Sequence, residues 1–121
     1  MVIDGHIICA VVRGMGAHPS SLAIQEEGMR VLRLLSYRTP DNQMLIARRG
    51  GISAMIAAMR SHACSMTLQE EACRLICNLA ENAAILTELL VSKNIQAILA
   101  AQLAFPRNAP IEVCAKIVCK R

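Results

Sequence analysis

The chain of 121 residues contains no tryptophan, one tyrosine and one phenylalanine, although hydrophobic residues make up 55% of it. Its core must therefore be built from Leu, Ile, Ala and Met, a mixture that suits helices, since Val, Thr and aromatic residues would be expected to dominate strands. The sequence has no aromatic cluster on which nucleobases could stack. The modest net charge of +4 and the scattered Lys and Arg residues also argue against nucleic acid as a partner.

Long hydrophobic runs and a secretion signal are missing too. No apolar run approaches the ~18–20 residues that a membrane-spanning helix needs. The first residues lack the basic start and long apolar segment of a signal peptide. These absences predict an intracellular protein, cytoplasmic or nuclear, with no membrane partner. Under reducing conditions its six cysteines are expected to be free thiols, most of them in apolar helical surroundings.

Patterns for catalysis and metal binding are likewise missing. Cys73 and Cys77 are neighbours on a helix, but the Cys-x-x-Cys spacing of zinc sites does not occur. His18 and His62 follow apolar helices at equivalent positions, where a surface or capping role is expected, and no nucleophile motif surrounds them. We therefore predict a protein that is not an enzyme and uses no metal, cofactor or small-molecule substrate.

What the chain does contain is a repeated amphipathic helix. Residues 68–80 carry apolar side chains at one-face spacing, and residues 24–35 carry a similar set. The two stripes are Leu68, Ala72, Leu75, Ile76 and Leu79, and Ile24, Gly28, Val31, Leu32 and Leu35.

The spacing between these copies indicates a class of fold. Gln25 and Gln69 occupy the same place, which gives a period of 44 residues (69 − 25). A weaker third copy aligns Glu112 with Glu70 at a period of 42 (112 − 70). Periods of about 40–47 residues in helical sequence are typical of HEAT and armadillo arrays.

Helix boundaries follow from capping residues and breakers. Thr39 and Pro40 can start a short helix that the Gly50-Gly51 pair ends, and Thr67 with Glu70 fits a capping box. The predicted helices cover residues 6–15, 21–36, 40 to the glycine pair, 52–62, 68–80, 82–91, 94–104 and 108–121.

This order of short, medium and long helices resembles the armadillo repeat. The matching motifs are Asn42-x-x-x-Ile46, Gly50-Gly51 before the second helix, and Glu71-Ala72 with Asn78-Leu79-Ala80 in the third. The resemblance implies an all-α, right-handed armadillo-like superhelix (a solenoid). It also implies a single domain over residues 1–121, with units 1–38, 39–81 and 82–121, and it allows these residues to be a fragment of a longer array.

The resemblance also implies a function, because armadillo proteins bind extended peptides along a concave groove lined by their third helices. Import receptors hold a Trp in this groove and an Asn four residues later. Here the Asn matches Asn78, but the Trp position is Arg74, and the equivalent positions are Arg30 and Lys116. Such a groove would repel a basic peptide and suit an acidic or phosphorylated one. We therefore expect a non-catalytic protein-interaction scaffold whose peptide-binding residues are these four.

A second interpretation stays open, because each basic residue of this set has a glutamate four positions earlier. Such pairs stabilise a helix by roughly 0.2–0.5 kcal/mol each and would form a solvated, self-paired face. The chain would then be a structural or regulatory segment that positions other domains. It could also self-associate as a homo-oligomer, because apolar residues are expected to be exposed at its uncapped ends. These residues are Ile7, Ile8, Val11, Val12, Ile111, Ile117 and Val118.

Overall fold

The computed structural model describes the backbone of residues 2–119 and the side chains of residues 5–119. Over this range the fold is all-α, as predicted, with eight helices and no strand. In chain order they are α1 (Val2–Ala17), α2 (Leu22–Ser36), α3 (Pro40–Arg48), α4 (Gly51–Ser61), α5 (Met66–Leu79), α6 (Ala83–Leu89), α7 (Ser92–Ala104) and α8 (Ala109–Cys119).

Most predicted helices are found within a few residues of their expected bounds. The first extends beyond its predicted end at residue 15, because Gly16, expected to mark that end, lies inside α1. The last, α8, ends at Cys119, and the predicted extension over residues 120–121 lies outside the described residues.

Two long helices begin with the same serine cap. The Ser21 hydroxyl accepts a hydrogen bond from the Ile24 amide at 3.2 Å, and the Ser65 hydroxyl accepts one from the Leu68 amide at 3.1 Å. Each bond satisfies one of the amide groups that the first turn of a helix leaves unpaired. The predicted capping box that starts at Thr67 is therefore wrong, because Thr67 lies inside α5.

The turn between α3 and α4 depends on its glycine pair. Thr39 and Pro40 take the predicted N-cap and first helical positions of α3. After α3, Gly50 has a φ of +86°, in the left-handed region that favours glycine. A Cβ atom on Gly51 would lie 2.7 Å from the carbonyl oxygen of Ile46, so only glycine fits there.

The helices pack in a regular order. The helices predicted as the long ones, α2, α5 and α8, form one row, in which α2 contacts α5 and α5 contacts α8. A second row runs from α1 through α4 to α7. Between the two rows, α1 packs on α2, α4 packs on α5, and α7 packs on α8. The short α3 contacts α1, α2 and α4, and α6 contacts α5. The central helices α4 and α5 are therefore covered on both sides.

The same hydrogen-bond pattern recurs at a spacing of 44 residues. Gln25 and Gln69 are buried, and each side-chain amide donates to two backbone carbonyls at the end of the preceding helix. The acceptors are Met15 and His18 for Gln25, at 3.0 and 2.8 Å, and Met59 and His62 for Gln69, at 3.0 and 3.1 Å. Each glutamine therefore satisfies carbonyls that a helix end leaves without an intrahelical partner.

The outer helices bury more of their apolar residues than the sequence suggested. Ile8, Ile111 and Val118 were expected to be exposed, but each is 0% accessible because α1 and α8 fold these side chains against their neighbours. Ile7 on α1 is exposed as expected, at 38%, whereas Leu103, outside the predicted set, is 84% exposed on α7. The expected apolar ends are thus only partly present.

Candidate functional site

A cavity of about 420 Å³ lies where the end of α2, the second half of α5 and the start of α8 meet. We call it the long-helix groove. Two of the four predicted site residues, Arg74 and Asn78, line it. The complete lining is Arg33, Tyr37, Arg74, Cys77, Asn78, Ala109, Pro110 and Val113.

Arg74 is held at the groove by a single ion pair. Its Nη2 atom donates to Glu70 Oε2 at 3.2 Å, the predicted pair one turn earlier on α5. The other oxygen of Glu70 accepts a hydrogen bond from Asn108 Nδ2 at 2.8 Å, which ties α5 to the start of α8. The Arg74 side chain is nevertheless 48% exposed, so its guanidinium can still meet a ligand from solvent.

Asn78 uses its amide nitrogen to join two helices. Nδ2 donates to the Arg33 carbonyl at 3.1 Å and to the Ser36 hydroxyl at 2.9 Å, both near the end of α2. Ser36 is fully buried, so these bonds satisfy polar groups that water does not reach. With its nitrogen committed to α2, Asn78 would contact a ligand through Oδ1.

Arg30 does not form the pair that helical spacing predicted. Its predicted partner, Glu26, instead accepts a hydrogen bond from the Ser65 hydroxyl at 2.8 Å. Arg30 pairs with Glu27 at 2.7 Å, and its Nε lies 3.8 Å from a carboxylate oxygen of Glu71 on α5. The hydrogen bond and charge of Glu27 raise the pKa of Arg30 above its usual value. Arg30 is not among the residues lining the groove.

Sequence reasoning missed Arg33, the basic residue that takes the groove position on α2. Its Nε donates to Glu71 Oε1 on α5, and the Glu71 side chain is only 12% exposed. Glu71 thus receives two arginines from α2 and fixes the approach of the two long helices. Helical spacing within α2 could not reveal Arg33, because its partner lies 38 residues away in sequence.

Lys116 lies away from the groove. It forms the predicted pair with Glu112, with 3.6 Å between Nζ and Oε2, and its side chain is 72% exposed. It lines a different cavity of about 440 Å³ between α7 and α8, together with Leu99, Gln102, Ala115 and Cys119. Of the three predicted basic residues, only Arg74 therefore lines the groove.

The lining of the groove is cationic and partly apolar. Two arginines face it, and none of its lining residues is acidic. The Arg38 guanidinium lies 5.4 Å from the centre of the Tyr37 ring, which is 59% exposed at the rim. Val113, 52% exposed, supplies an apolar wall from α8. The arrangement suits an anionic group flanked by apolar side chains.

Among the residues that the structure describes, no group of three His, Cys, Asp or Glu side chains is arranged to hold a metal ion. No single described helix is both long and apolar enough to cross a membrane. Only the bent pair of α6 and α7 reaches that length and composition together, with an angle of 79° between them.

No protein-family model matches the chain, and no significant similarity to a curated protein or to a solved structure was found.

Proposed function

We propose that this chain is an armadillo-like interaction scaffold that binds an acidic, extended segment of a partner protein in the long-helix groove. The observation that carries this proposal is the lining of the groove, which has two arginines and no carboxylate. A scaffold of this kind needs no catalytic residues. Its specificity comes from where charge and apolar surface lie along the groove.

The helix order supports an armadillo-like solenoid. Rows of long and medium helices in which each member contacts the next are what stacked repeats require, because each repeat packs only on its neighbours. The recurring glutamine and serine contacts at 44 residues add support, since they imply the same local geometry in two successive units. The right-handed superhelix is the form that we propose for this stack.

Arg74 would be the main ligand contact. A carboxylate or phosphate in the groove could form a bidentate pair with its guanidinium, which the single bond to Glu70 leaves accessible. Arg33 is less available, because it is already paired with the nearly buried Glu71. Tyr37 and Val113 would contact apolar side chains beside the acidic one. The predicted peptide-binding role of Asn78 remains part of this proposal.

The decisive experiment is a selection from a random library of displayed linear peptides against the whole chain. We expect enriched sequences to carry Asp or Glu beside an apolar residue. Binding of the best peptide, measured by titration calorimetry, should fall at least tenfold in Arg74→Glu. The matched control is Arg48→Glu on α3, which changes the same charge at an exposed arginine away from the groove.

Three outcomes of these experiments would contradict the proposal. Enrichment of basic peptides would overturn the proposed charge preference. An absence of any enriched sequence would reject the groove as a peptide site. Equal losses in Arg74→Glu and Arg48→Glu would mean that net charge, rather than the groove, controls binding.

One observation favours the structural alternative, in which the segment associates with itself. Leu103 is 84% exposed and Leu99 is 39% exposed on α7, beside the cavity that Lys116 lines. Leu99 and Leu103 lie one turn apart on α7, and neighbouring exposed apolar residues that form a contiguous patch can mark an interaction surface. If copies associate there, sedimentation should show a species heavier than the monomer that Leu103→Lys removes. A monomer at all concentrations would reject this alternative.

A further inference from the structure

Three cysteine side chains meet between α5 and α8, beside the groove. Cys73 and Cys77 lie one turn apart on α5, which packs directly on α8, and the Cys114 thiol on α8 interacts with both. All three are free thiols. Peptide binding in the groove makes no use of this cluster, and the spacing of Cys73 and Cys77 alone gives no sign of the third member.

The three thiols differ in their access to solvent. Cys73 and Cys114 are fully buried. Cys77 is partly exposed and lines the long-helix groove, so a small molecule that enters the groove reaches its sulfur first. The cluster therefore has one accessible member, with a buried thiol from another helix behind it.

The surroundings also favour different protonation states. The hydrogen bond with Cys114, and the nearby positive charge of Arg74, lower the pKa of the Cys77 thiol despite its partial burial. Hydrogen bonds with Cys73 and Cys77, together with burial, raise the pKa of the Cys114 thiol. The thiolate is the nucleophilic form of cysteine, so the accessible member is also the one better able to react.

We propose that Cys77 is a hydroperoxide-reactive thiol and that Cys114 resolves it, giving a disulfide that joins α5 to α8. The Cys77 thiolate attacks one peroxide oxygen, so an S–O bond forms while the O–O bond breaks. With hydrogen peroxide, the departing hydroxide takes up a proton and leaves as water. Cys77 is then a sulfenic acid, with its sulfur oxidised by two electrons.

In the second step the Cys114 sulfur attacks the Cys77 sulfur. An S–S bond forms and the S–O bond breaks, and the hydroxyl of the sulfenic acid leaves with the Cys114 proton as a second water. In total, two thiols lose two hydrogen atoms, and one hydrogen peroxide becomes two waters. A thiol reductant reverses the disulfide by exchange.

Cys114 is a better resolving partner than Cys73 on geometric grounds. Helix positions four apart keep their Cβ atoms about 5–6 Å from each other. A disulfide needs Cβ atoms roughly 3.5–4.5 Å apart. Cys73 and Cys77 would have to distort α5 to pair, whereas Cys114 lies on a separate helix, so that helical spacing does not fix its distance from Cys77. We therefore assign the disulfide to Cys77 and Cys114.

Peptide mapping can test this assignment on the whole chain. Trypsin cuts after Arg74, so Cys73 and Cys77 fall on different peptides, residues 61–74 and 75–93, and Cys114 falls on residues 108–116. The reduced protein is treated with an equimolar amount of hydrogen peroxide, blocked with N-ethylmaleimide, digested and analysed by mass spectrometry. We expect peptide 75–93 to be linked to peptide 108–116, and dithiothreitol should separate them.

The exposed cysteines provide an internal control. Cys64 and Cys119 are more accessible than Cys77, so a reaction governed by exposure alone would consume them first. Earlier oxidation of Cys64 or Cys119 would overturn the proposal. A link between peptides 75–93 and 61–74 would overturn the choice of Cys114. Retention of the Cys77 thiol after treatment would overturn both.

Two variants separate the chemical steps. Cys114→Ala keeps a small apolar side chain in the core and should stop the reaction at the Cys77 sulfenic acid, which dimedone traps. Arg74→Gln should slow alkylation of Cys77 by iodoacetamide several-fold near neutral pH and move its pH profile upwards, because the positive charge that favours the thiolate is gone. Arg48→Gln should change neither. An unaltered pH profile in Arg74→Gln would contradict the role of this arginine.

Discussion

The helices α2 and α5 are similar in sequence and in the contacts at their starts, but they pack in different surroundings. Each starts at a serine cap, and each carries a buried glutamine that binds the end of the preceding helix. However, α5 packs between α2 and α8, whereas α2 is the first helix of that row and packs on α5 within it. Equivalent positions therefore share backbone roles but differ in burial and in side-chain chemistry.

Two pairs of equivalent residues show how α2 and α5 differ in burial and in hydrogen bonding. Ile24 is 36% exposed, whereas its counterpart Leu68 is completely buried. Leu34 is 59% exposed, and its counterpart Asn78 donates two hydrogen bonds to α2. The central helix thus uses one side for packing and another for polar links to its neighbour. By contrast, the serine caps and the buried glutamines near the start of each helix are the same residue types in both copies.

The largest expected difference concerns the first of these pairs. Leu68→Ala should lower the free energy of unfolding by about 2–4 kcal/mol, because it leaves a cavity at a fully buried site. Ile24→Ala should cost less than about 1 kcal/mol, because solvent already reaches this side chain and little packing is lost. Urea unfolding followed by circular dichroism measures both. Similar costs for the two variants would show that burial does not distinguish these helices.

The glutamine pair should behave in the opposite way, with equal costs in both helices. Gln25→Leu and Gln69→Leu each remove two hydrogen bonds to carbonyls at the end of the preceding helix. The His18 and His62 carbonyls keep a bond from a backbone amide, so each variant leaves one buried carbonyl, that of Met15 or Met59, without its donor. We expect a loss of about 1–3 kcal/mol in each case, since unsatisfied buried acceptors are costly. The same urea titrations test this. A difference between the two variants above about 1 kcal/mol would mean that the shared geometry is not energetically equivalent.

Most helices could be predicted from the sequence, because helix formation depends on residues that are close together in the chain. Apolar spacing located the amphipathic helices, and the glycine pair marked the turn in which Gly50 adopts a positive φ. The start of α5 was predicted wrongly at Thr67, although the 44-residue period points from Ser21 to Ser65. The repeat was a better predictor here than a four-residue motif, because the cap is part of the repeated unit.

The site was harder to predict, because its geometry depends on contacts between helices. Glu26 was paired with Arg30 by spacing, yet it binds Ser65 at the start of the next long helix. Arg33 is held at the groove by its ion pair with Glu71 on α5. Helical periodicity describes neighbours within one helix only, so it could not identify partners that lie 38 or 39 residues away.

The pair of Leu34 and Asn78 offers a test of the hydrogen bonds that link α5 to α2. Asn78→Leu should destabilise the fold by about 1–2 kcal/mol, because the buried Ser36 hydroxyl and the Arg33 carbonyl lose a donor. Leu34→Asn, at the equivalent exposed position of α2, should change stability by less than about 0.5 kcal/mol. Thermal unfolding of both variants gives the comparison. If Asn78→Leu were as stable as the parent, its bonds would not contribute to the α2–α5 contact.

The smallest effect is expected at Gly28, which stands where α5 has Ala72. Alanine is favoured over glycine within a helix by about 1 kcal/mol. A Cβ atom on Gly28 would, however, lie 2.8 Å from both Cγ and Sδ of Met15 on α1, so this side chain must move. The two effects oppose each other, and Gly28→Ala alone should change the free energy of unfolding by less than about 1 kcal/mol.

A double-mutant cycle with Met15→Ala separates these opposing contributions. In that background the obstructing atoms are gone, and the remaining neighbour, Val11 Cγ1 at 3.3 Å, needs to shift by only a few tenths of an ångström. Gly28→Ala should then stabilise the chain by about 1 kcal/mol, close to its full helix propensity. The same effect in both backgrounds would mean that Met15 does not select glycine at this position. In that case the difference between Gly28 and Ala72 would not arise from the packing of α1 on α2.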